Sequence, residues 1–325
     1  MPISTTSSWQ PTCTMQALQA RAKLYQQLRQ FFAERDVLEV ETPLLSQSAT
    51  TDVHLASISA QRYVGGQLRT DYLHTSPEFA MKRLLASGSG AIYQICKVFR
   101  NDEHGRKHNS EFTMLEWYRP DFSLDDLMSE VKKLLQLTVN ADIFIEKKSY
   151  KQVFQQFLGI NPLTADAATL KQKAIEHDLD IDLGDDRLAY MDLLFSHIIE
   201  PTLGFDGAVF LTDFPPELAS LAKIHDDQDG EQVASRFELY INGLELANAY
   251  DELVDSDTLQ KRFLQDNAER ERLGLAVMPL DIRLLLALPN MPACSGIALG
   301  MDRLLMVITG AKELSEVISF PAEMA

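Results

Sequence analysis

AIYQICKVFRNDEHGRKHNSEFTMLEWY, residues 91–118, decides the fold. Its two ends, AIYQICKVF and EFTMLEWY, are rich in aromatic and β-branched residues and read as strands. The loop between them mixes Arg100, Arg106, Lys107 and His108 with Asp102 and Glu103, and Glu111 and Glu116 follow. A polar loop between strands is ordinarily a solvated turn. Here Arg100 abuts an apolar run, as does Arg303 near the C-terminus, and such places are costly for charge unless an anion lies nearby. A guanidinium fork suits phosphate oxygens, and Phe112 offers a face for a purine. The chain contains no G-x-x-x-x-G-K-[ST]. An expected nucleotide therefore lies on a sheet rather than at the helix N-terminus of a phosphate loop.

Outward from this pair, apolar positions Leu18, Ala22, Tyr25, Leu28 and Phe32 recur at helical spacing and predict a helix over 15–36. VLEVETP (37–43) reads as a strand stopped by Pro43. Two strands flank Gly65-Gly66 as a hairpin. Ser76 as N-cap and Pro77 in the first turn open a helix that runs through MKRLLAS and stops near Gly88. FELYINGLELANAY is a second hairpin around Asn242-Gly243. DTLQKRFLQDNAERERLG is a charged helix with a solvated ERER face at 269–272. SGIALGM is a strand running into the helix DRLLMVITG. Hairpin-linked strands with flanking helices predict an α+β fold, an antiparallel sheet covered by helices. One domain over 15–325 is expected, after a loose tail at 1–14, with a mostly helical insertion at about 123–200.

The 325 residues are 46% hydrophobic and 24% charged, enough apolar material for a globular core. The net charge of −17 makes the surface a poor generic partner for nucleic acid. Cys13, Cys96 and Cys294 are an odd set without metal-ligand spacing, which points to a reducing compartment; Cys96 and Cys294 are expected to be buried and inert. The first residues lack a signal-peptide pattern, and no apolar run is long enough for a membrane helix, so a cytoplasmic location is expected.

These motifs, in this order, resemble the catalytic domain of class II aminoacyl-tRNA synthetases, most closely the lysyl enzymes. VLEVETP is similar to the end of motif 1, FRN…RKHNSEFTMLEWY to motif 2, FELYINGLELANAYDEL to the metal and substrate hairpin, and GIALGMDRL to motif 3. The resemblance implies an ATP-dependent ligase. By it, Arg100 holds the α-phosphate and the amino-acid carboxylate, Phe112 stacks under adenine, and Arg303 reaches the γ-phosphate. Asn101, Asp102, His108, Asn109, Glu245, Leu246 and Gly300 complete the ATP site, and Glu238 and Glu245 hold Mg²⁺. Ser76, Pro77, Glu78, Glu116, Tyr118, Asn248, Glu252 and Ala298 line the amino-acid pocket. Motif 1 implies a homodimer. A pocket walled by Glu78, Glu116 and Glu252 is expensive unless its ligand is cationic, as lysine is.

The chain departs from the tRNA-charging pattern in several places. Motif 1 lies almost at the N-terminus, so no anticodon-binding domain is expected, nor a tRNA partner. Ala298 stands where the lysyl enzymes carry Gly, Ser76 where Ala is usual, and Ala249 where Gly is frequent. These features resemble truncated lysyl-type paralogues that attach (R)-β-lysine to a lysine of translation elongation factor P. The motif 2 Glu two residues after Arg100 is replaced by Asp102, followed by Glu103; the adenine contact falls to Asp102 through water or to Glu103. Charging of tRNA with lysine and a catalytically inactive regulatory subunit stand as alternatives. Retention of Arg100, Glu238, Glu245 and Arg303 speaks against the inactive one.

Overall fold

The computed structural model describes residues 9–325. Helix α1 (Met15–Ala33) starts at Thr14, whose hydroxyl accepts from the Ala17 amide, and buries Leu24, Leu28, Phe31 and Phe32. It ends three residues before the expected boundary, because the chain reverses at Asp36 with φ of 53°. The next pieces are β1 (Leu38–Glu39), β2 (Leu45–Ser46), and the hairpin β3 (Ser59–Val64) and β4 (Gln67–Leu73). Its turn residues Gly65 and Gly66 both have positive φ, as a two-residue hairpin turn demands. Helix α2 (Glu78–Ala86) follows, then β5 (Ile92–Phe99) and β6 (Glu111–Pro120), the predicted central pair.

The expected insertion at 123–200 divides into unlike parts. α3 (Leu124–Thr138), started by a Ser123–Asp126 capping box, packs Leu127, Val131 and Leu134 into the main core. β7 (Ile145–Ser149) joins the main sheet. Only α4 (Tyr150–Leu158), α5 (Ala167–Glu176), α6 (Arg187–Leu194) and a π-helical turn at Phe195–Ile199 form a separate helical layer. The chain then supplies β8 (Ala208–Phe214), β9 (Ile224–Asp226), the hairpin β10 (Gln232–Ile241) and β11 (Leu244–Asp251), α7 (Ser256–Arg272), α8 (Ile282–Ala287), β12 (Cys294–Gly300) and α9 (Met301–Thr309). Of the expected N-terminal tail, residues 1–8 lie outside the described residues. Beyond them, the Thr12 amide and hydroxyl are tied to the carbonyls of Ser319 and Ile318.

The main sheet runs β1-β5-β6-β12-β11-β10-β8-β7, with β9 against β10. All pairs are antiparallel except β1–β5 and β7–β8 at the two edges. One face packs on α1, α3 and α9 through Phe32, Trp117, Leu127, Leu299 and Leu304. At one end of the other face, α2, α7 and α8 cover Ile92 and Tyr118. At the opposite end, α4 to α6 cover Val209, Leu211 and Tyr240. Trp117 and Tyr118 thus point to opposite faces, as strand alternation requires. The middle of this second face is left open as a cleft.

Asp302, at the start of α9, clamps three elements. It is buried, accepts from the Thr113 amide of β6 at 2.7 Å, and pairs with Arg21 of α1, whose guanidinium also reaches the Val317 carbonyl at 2.8 Å. Asp302→Ala strands both donors. It should lower unfolding stability by about 2–3 kcal/mol in urea denaturation; an unchanged midpoint contradicts this role.

Candidate active site

Strand pairing lays the open face out in straight rungs. One rung reads Gln94, Glu116, Ala298, Asn248, Glu238 across β5, β6, β12, β11 and β10. The neighbouring rung reads Ile92, Tyr118, Gly296, Tyr250, Arg236. Residues two apart on a strand share a face, so both rungs look the same way. A register shift between Leu239 and Tyr240 pairs Tyr240 with Glu245. That bulge turns Glu245 into the cleft beside Glu238. The cleft has a volume of about 1790 Å³, more than one small ligand fills.

The acidic half is built around α2. The Ser76 hydroxyl accepts from the Glu78 amide at 3.0 Å and donates to Glu116 Oε2 at 2.7 Å. The Tyr118 hydroxyl donates to Glu116 Oε1 at 2.7 Å. Lys82, one helical turn after Glu78, is 0% exposed. Its ammonium donates to Glu78 Oε1 at 2.6 Å and stands 2.6 Å from Glu252 Oε2. Three carboxylates therefore surround one ammonium. Burial, reinforced by Glu78, pushes the Glu116 carboxyl up to about 7. Burial likewise pushes Glu252 up to about 8 against the pull of Lys82. Burial works against the Lys82 charge, but Glu252 and Glu78 outweigh it and hold the ammonium above the ordinary lysine value. Gly296 is what lets this cluster close: a Cβ there would stand 2.3 Å from Glu252 Oε1 and 2.4 Å from the Tyr118 ring.

The other half is cationic. The Arg100 guanidinium lies 5.1 Å from the centre of the Phe112 ring and bonds Glu103 at 3.3 Å, while its Nε is buried without a partner. A buried guanidinium N–H of this kind fits an oxyanion. Arg303 donates to the Glu245 carbonyl at 2.8 Å and to His108 Nε2 at 2.9 Å, placing the His108 proton on Nδ1. Burial, then the nearby Arg303, lowers the His108 pKa, so the ring accepts that bond as neutral imidazole. Gly300 and Leu246 line the cleft between the halves. Asn109 lines it as well, but its amide is engaged by the Glu111 carbonyl and the Ala322 amide. Asn101 and Asp102 are not brought in. Both are exposed at the loop turn, where Asp102 has φ of 62°, and Glu103 lines the cleft instead.

The expected metal ligands differ in availability. Both oxygens of Glu238 are engaged, one by Arg236 and one by the Tyr240 hydroxyl. Glu245 is partly open, with Arg303 at 3.6 Å. Burial, then the nearby charge of Glu245, raises the pKa of half-buried Glu200. All three offer oxygen donors of the kind Mg²⁺ prefers; Glu245 fits directly, whereas Glu238 must first give up a bond.

Several residues of the site escaped the sequence reading. Lys82 carried a signal, four residues after Glu78 on a predicted helix. Arg236 did too, two before Glu238 on one strand face. It bonds Asn248 Oδ1 at 3.0 Å and the Leu218 carbonyl at 2.7 Å, fixing the Asn248 amide, which also reaches Tyr250 at 3.1 Å. Gly296 and Glu200 had no local signal.

The raised carboxyls make stability depend on pH. A carboxyl whose folded value lies near 7 or 8 holds its proton where the unfolded chain has lost it. Its stabilising share is present below the ordinary carboxyl range and lost as pH climbs to about 8. Wild type without ligand should therefore lose stability relative to Glu116→Gln as pH rises from the ordinary carboxyl range to about 7. A pH-independent difference in denaturation midpoints contradicts the assignment.

Comparison with known proteins agrees with this layout. Residues 9–324 match the tRNA synthetases class II (D, K and N) family. The chain is 48% identical to an elongation factor P–(R)-β-lysine ligase of Yersinia enterocolitica, over 99% of this chain and 100% of the relative. It is 47% identical to the same-named protein of Avibacterium paragallinarum, over 98% of each chain. It is 46% identical to that of Mannheimia succiniciproducens, over 96% of this chain and 97% of the relative. With four motifs in order, the sheet that carries them and these relatives, the chain belongs to the class II tRNA synthetases.

Proposed function

We propose that this chain activates (R)-β-lysine with ATP as an adenylate and transfers the acyl group to a lysine ε-amine of translation elongation factor P. The observation that carries the reading is the charge of the pocket. Once Lys82 is counted, two carboxylates remain in excess beside a cleft whose other half holds an unpartnered guanidinium N–H. A ligand with two ammonium groups and one carboxylate matches that pattern, its carboxylate toward Arg100. The names of the relatives support the β-amino acid and the protein acceptor. Ala298, on the rung between Glu116 and Asn248, puts a methyl group on the pocket floor, where it reshapes the seat of the backbone amine.

In the first half-reaction the amino-acid carboxylate attacks the α-phosphorus, the bond to the bridging oxygen breaks, and pyrophosphate leaves. In the second, the unprotonated acceptor amine attacks the acyl carbon, the acyl–phosphate bond breaks, AMP leaves, and one proton passes to solvent. No protein nucleophile is needed. Arg100 and Arg303 neutralise and align phosphate oxygens, Phe112 stacks the base, and Glu78 at the cleft wall, with the buried charge of Glu116 and Glu252 behind it, orients the diammonium substrate. Glu245 and Glu238 would hold Mg²⁺, which would supply further neutralisation.

We place the enzyme in the cytoplasm as a homodimer. No helix of the described residues is long and apolar enough to cross a membrane, and all three cysteines are free. The edge strand β1 leaves Leu38 57% exposed, which suits a twofold partner.

The test is substrate-dependent pyrophosphate exchange with α-lysine and both β-lysine enantiomers, followed by the mass of elongation factor P after incubation. Exchange with (R)-β-lysine and a mass gain of one lysyl unit are expected. Label on tRNA with none on the factor, or no exchange with any isomer, contradicts the reading. Ala298→Gly should shift the exchange preference toward α-lysine by about tenfold; unchanged selectivity removes Ala298 from that role.

A further inference from the structure

A buried ammonium is a poor stabiliser, since apolar residues of similar volume frequently replace buried ion pairs at no loss. Lys82 is nevertheless fully buried, and its two partners come from different elements. Glu78 sits on the same helix, and Glu252 sits beyond β11. Only Glu78 of the trio lines the cleft. Its Oε1 is taken by Lys82, and among the described residues no donor bonds Oε2. The charged or titratable groups around Lys82 are Glu78, Glu116, Tyr118, Glu252 and Cys294. α7 and α8, packed against the far side of α2, bring Leu259, Phe263, Leu284 and Leu285, none of which titrates.

We propose that Lys82 is a positioning residue for the amino-acid substrate: its ammonium is a resident counter-ion that fixes Glu78 at the cleft wall and cancels one of three carboxylate charges. The cancellation matches the pocket to a ligand with two ammonium groups. Without it, three unbalanced carboxylates out of water retain protons, and a protonated wall repels no anion and holds no cation. With it, a cationic ligand finds two carboxylates ready to ionise. Glu78, pinned through Oε1, offers the ligand a fixed oxygen rather than a mobile side chain. This inference rests on the proposed amino-acid activation.

The test measures KM for (R)-β-lysine in pyrophosphate exchange across about pH 6 to 9. In wild type, KM should rise as pH falls through the range where Glu116 and Glu252 gain protons. Lys82→Met keeps the bulk and removes the charge. It should raise KM by about tenfold, move the acid limb up by about one pH unit, and leave KM for ATP within about twofold. The charge-conserving variant Lys82→Arg keeps the resident cation between Glu78 and Glu252. It should return the limb and most of the affinity, a rescue that a purely packing role does not give. If Lys82→Met does not fold, Lys82→Arg carries the test alone. Its limb should coincide with that of wild type, and a displaced limb overturns the inference. Wild-type exchange together with an unmoved limb in Lys82→Met overturns this inference but not the activity. Absence of wild-type exchange with every lysine isomer overturns both.

Discussion

Glu116, Glu252 and Lys82 are held out of water within a few ångströms of Glu78 on one face of a sheet. Such a set is unfavourable unless its charges offset one another, and here they do so only in part. Burial, reinforced by the neighbouring acid, raises two carboxyls toward neutrality, and the pocket is left short of positive charge. Nearly everything around it serves that arrangement. Gly296 lets Glu252 and Tyr118 approach, Ser76 and Tyr118 saturate the Glu116 oxygens, and Arg236 holds the next residue of the rung in place.

The sheet is what makes so dense a cluster possible. Antiparallel neighbours bring residues far apart in the chain onto one rung, about 5 Å from strand to strand. Glu116, Asn248 and Glu238 are thus held by backbone pairing, while Arg100 follows β5 directly and Arg303 sits in the first turn of α9. Asp302 ties β6 to α1 and α9 beneath the floor. The five-stranded stretch that carries the chemistry is packed firmly on its far side through Trp117, Phe32 and Leu299. Rigidity of this kind suits a reaction in which the protein contributes alignment and charge.

Much of this was legible in the chain itself. The β5–β6 pair, both hairpins, α2, and the strand-to-helix passage at Gly300 follow from period-two alternation, paired turn residues with positive φ, and capping patterns, all local signals. What was not legible depends on tertiary register. The strand expected from VLEVETP and stopped by Pro43 shrinks to Leu38–Glu39 because only those meet β5 in parallel pairing. α3 was grouped with the inserted helices because its amphipathic pattern does not reveal which core it faces. At the site, the acidic side chains were visible, but the ammonium between them was not. An i,i+4 Glu–Lys pair reads equally as a solvated helix face, and only burial separates the two. The engagement of Glu238 by Tyr240, and the exposure of Asn101 and Asp102, likewise arise from a bulge and a turn whose geometry is set by partners elsewhere.

The central claim is that a diammonium ligand completes an acid-rich pocket that is only partly neutralised by its own lysine. Calorimetric titration of the protein with (R)-β-lysine near neutral pH, in buffers of different ionisation enthalpy, tests it most directly. Binding should release protons as the raised carboxyls ionise against the ligand, and an analogue with a methyl group in place of the side-chain ammonium should bind far more weakly. Binding without proton release, with equal affinity for that analogue, would contradict the account.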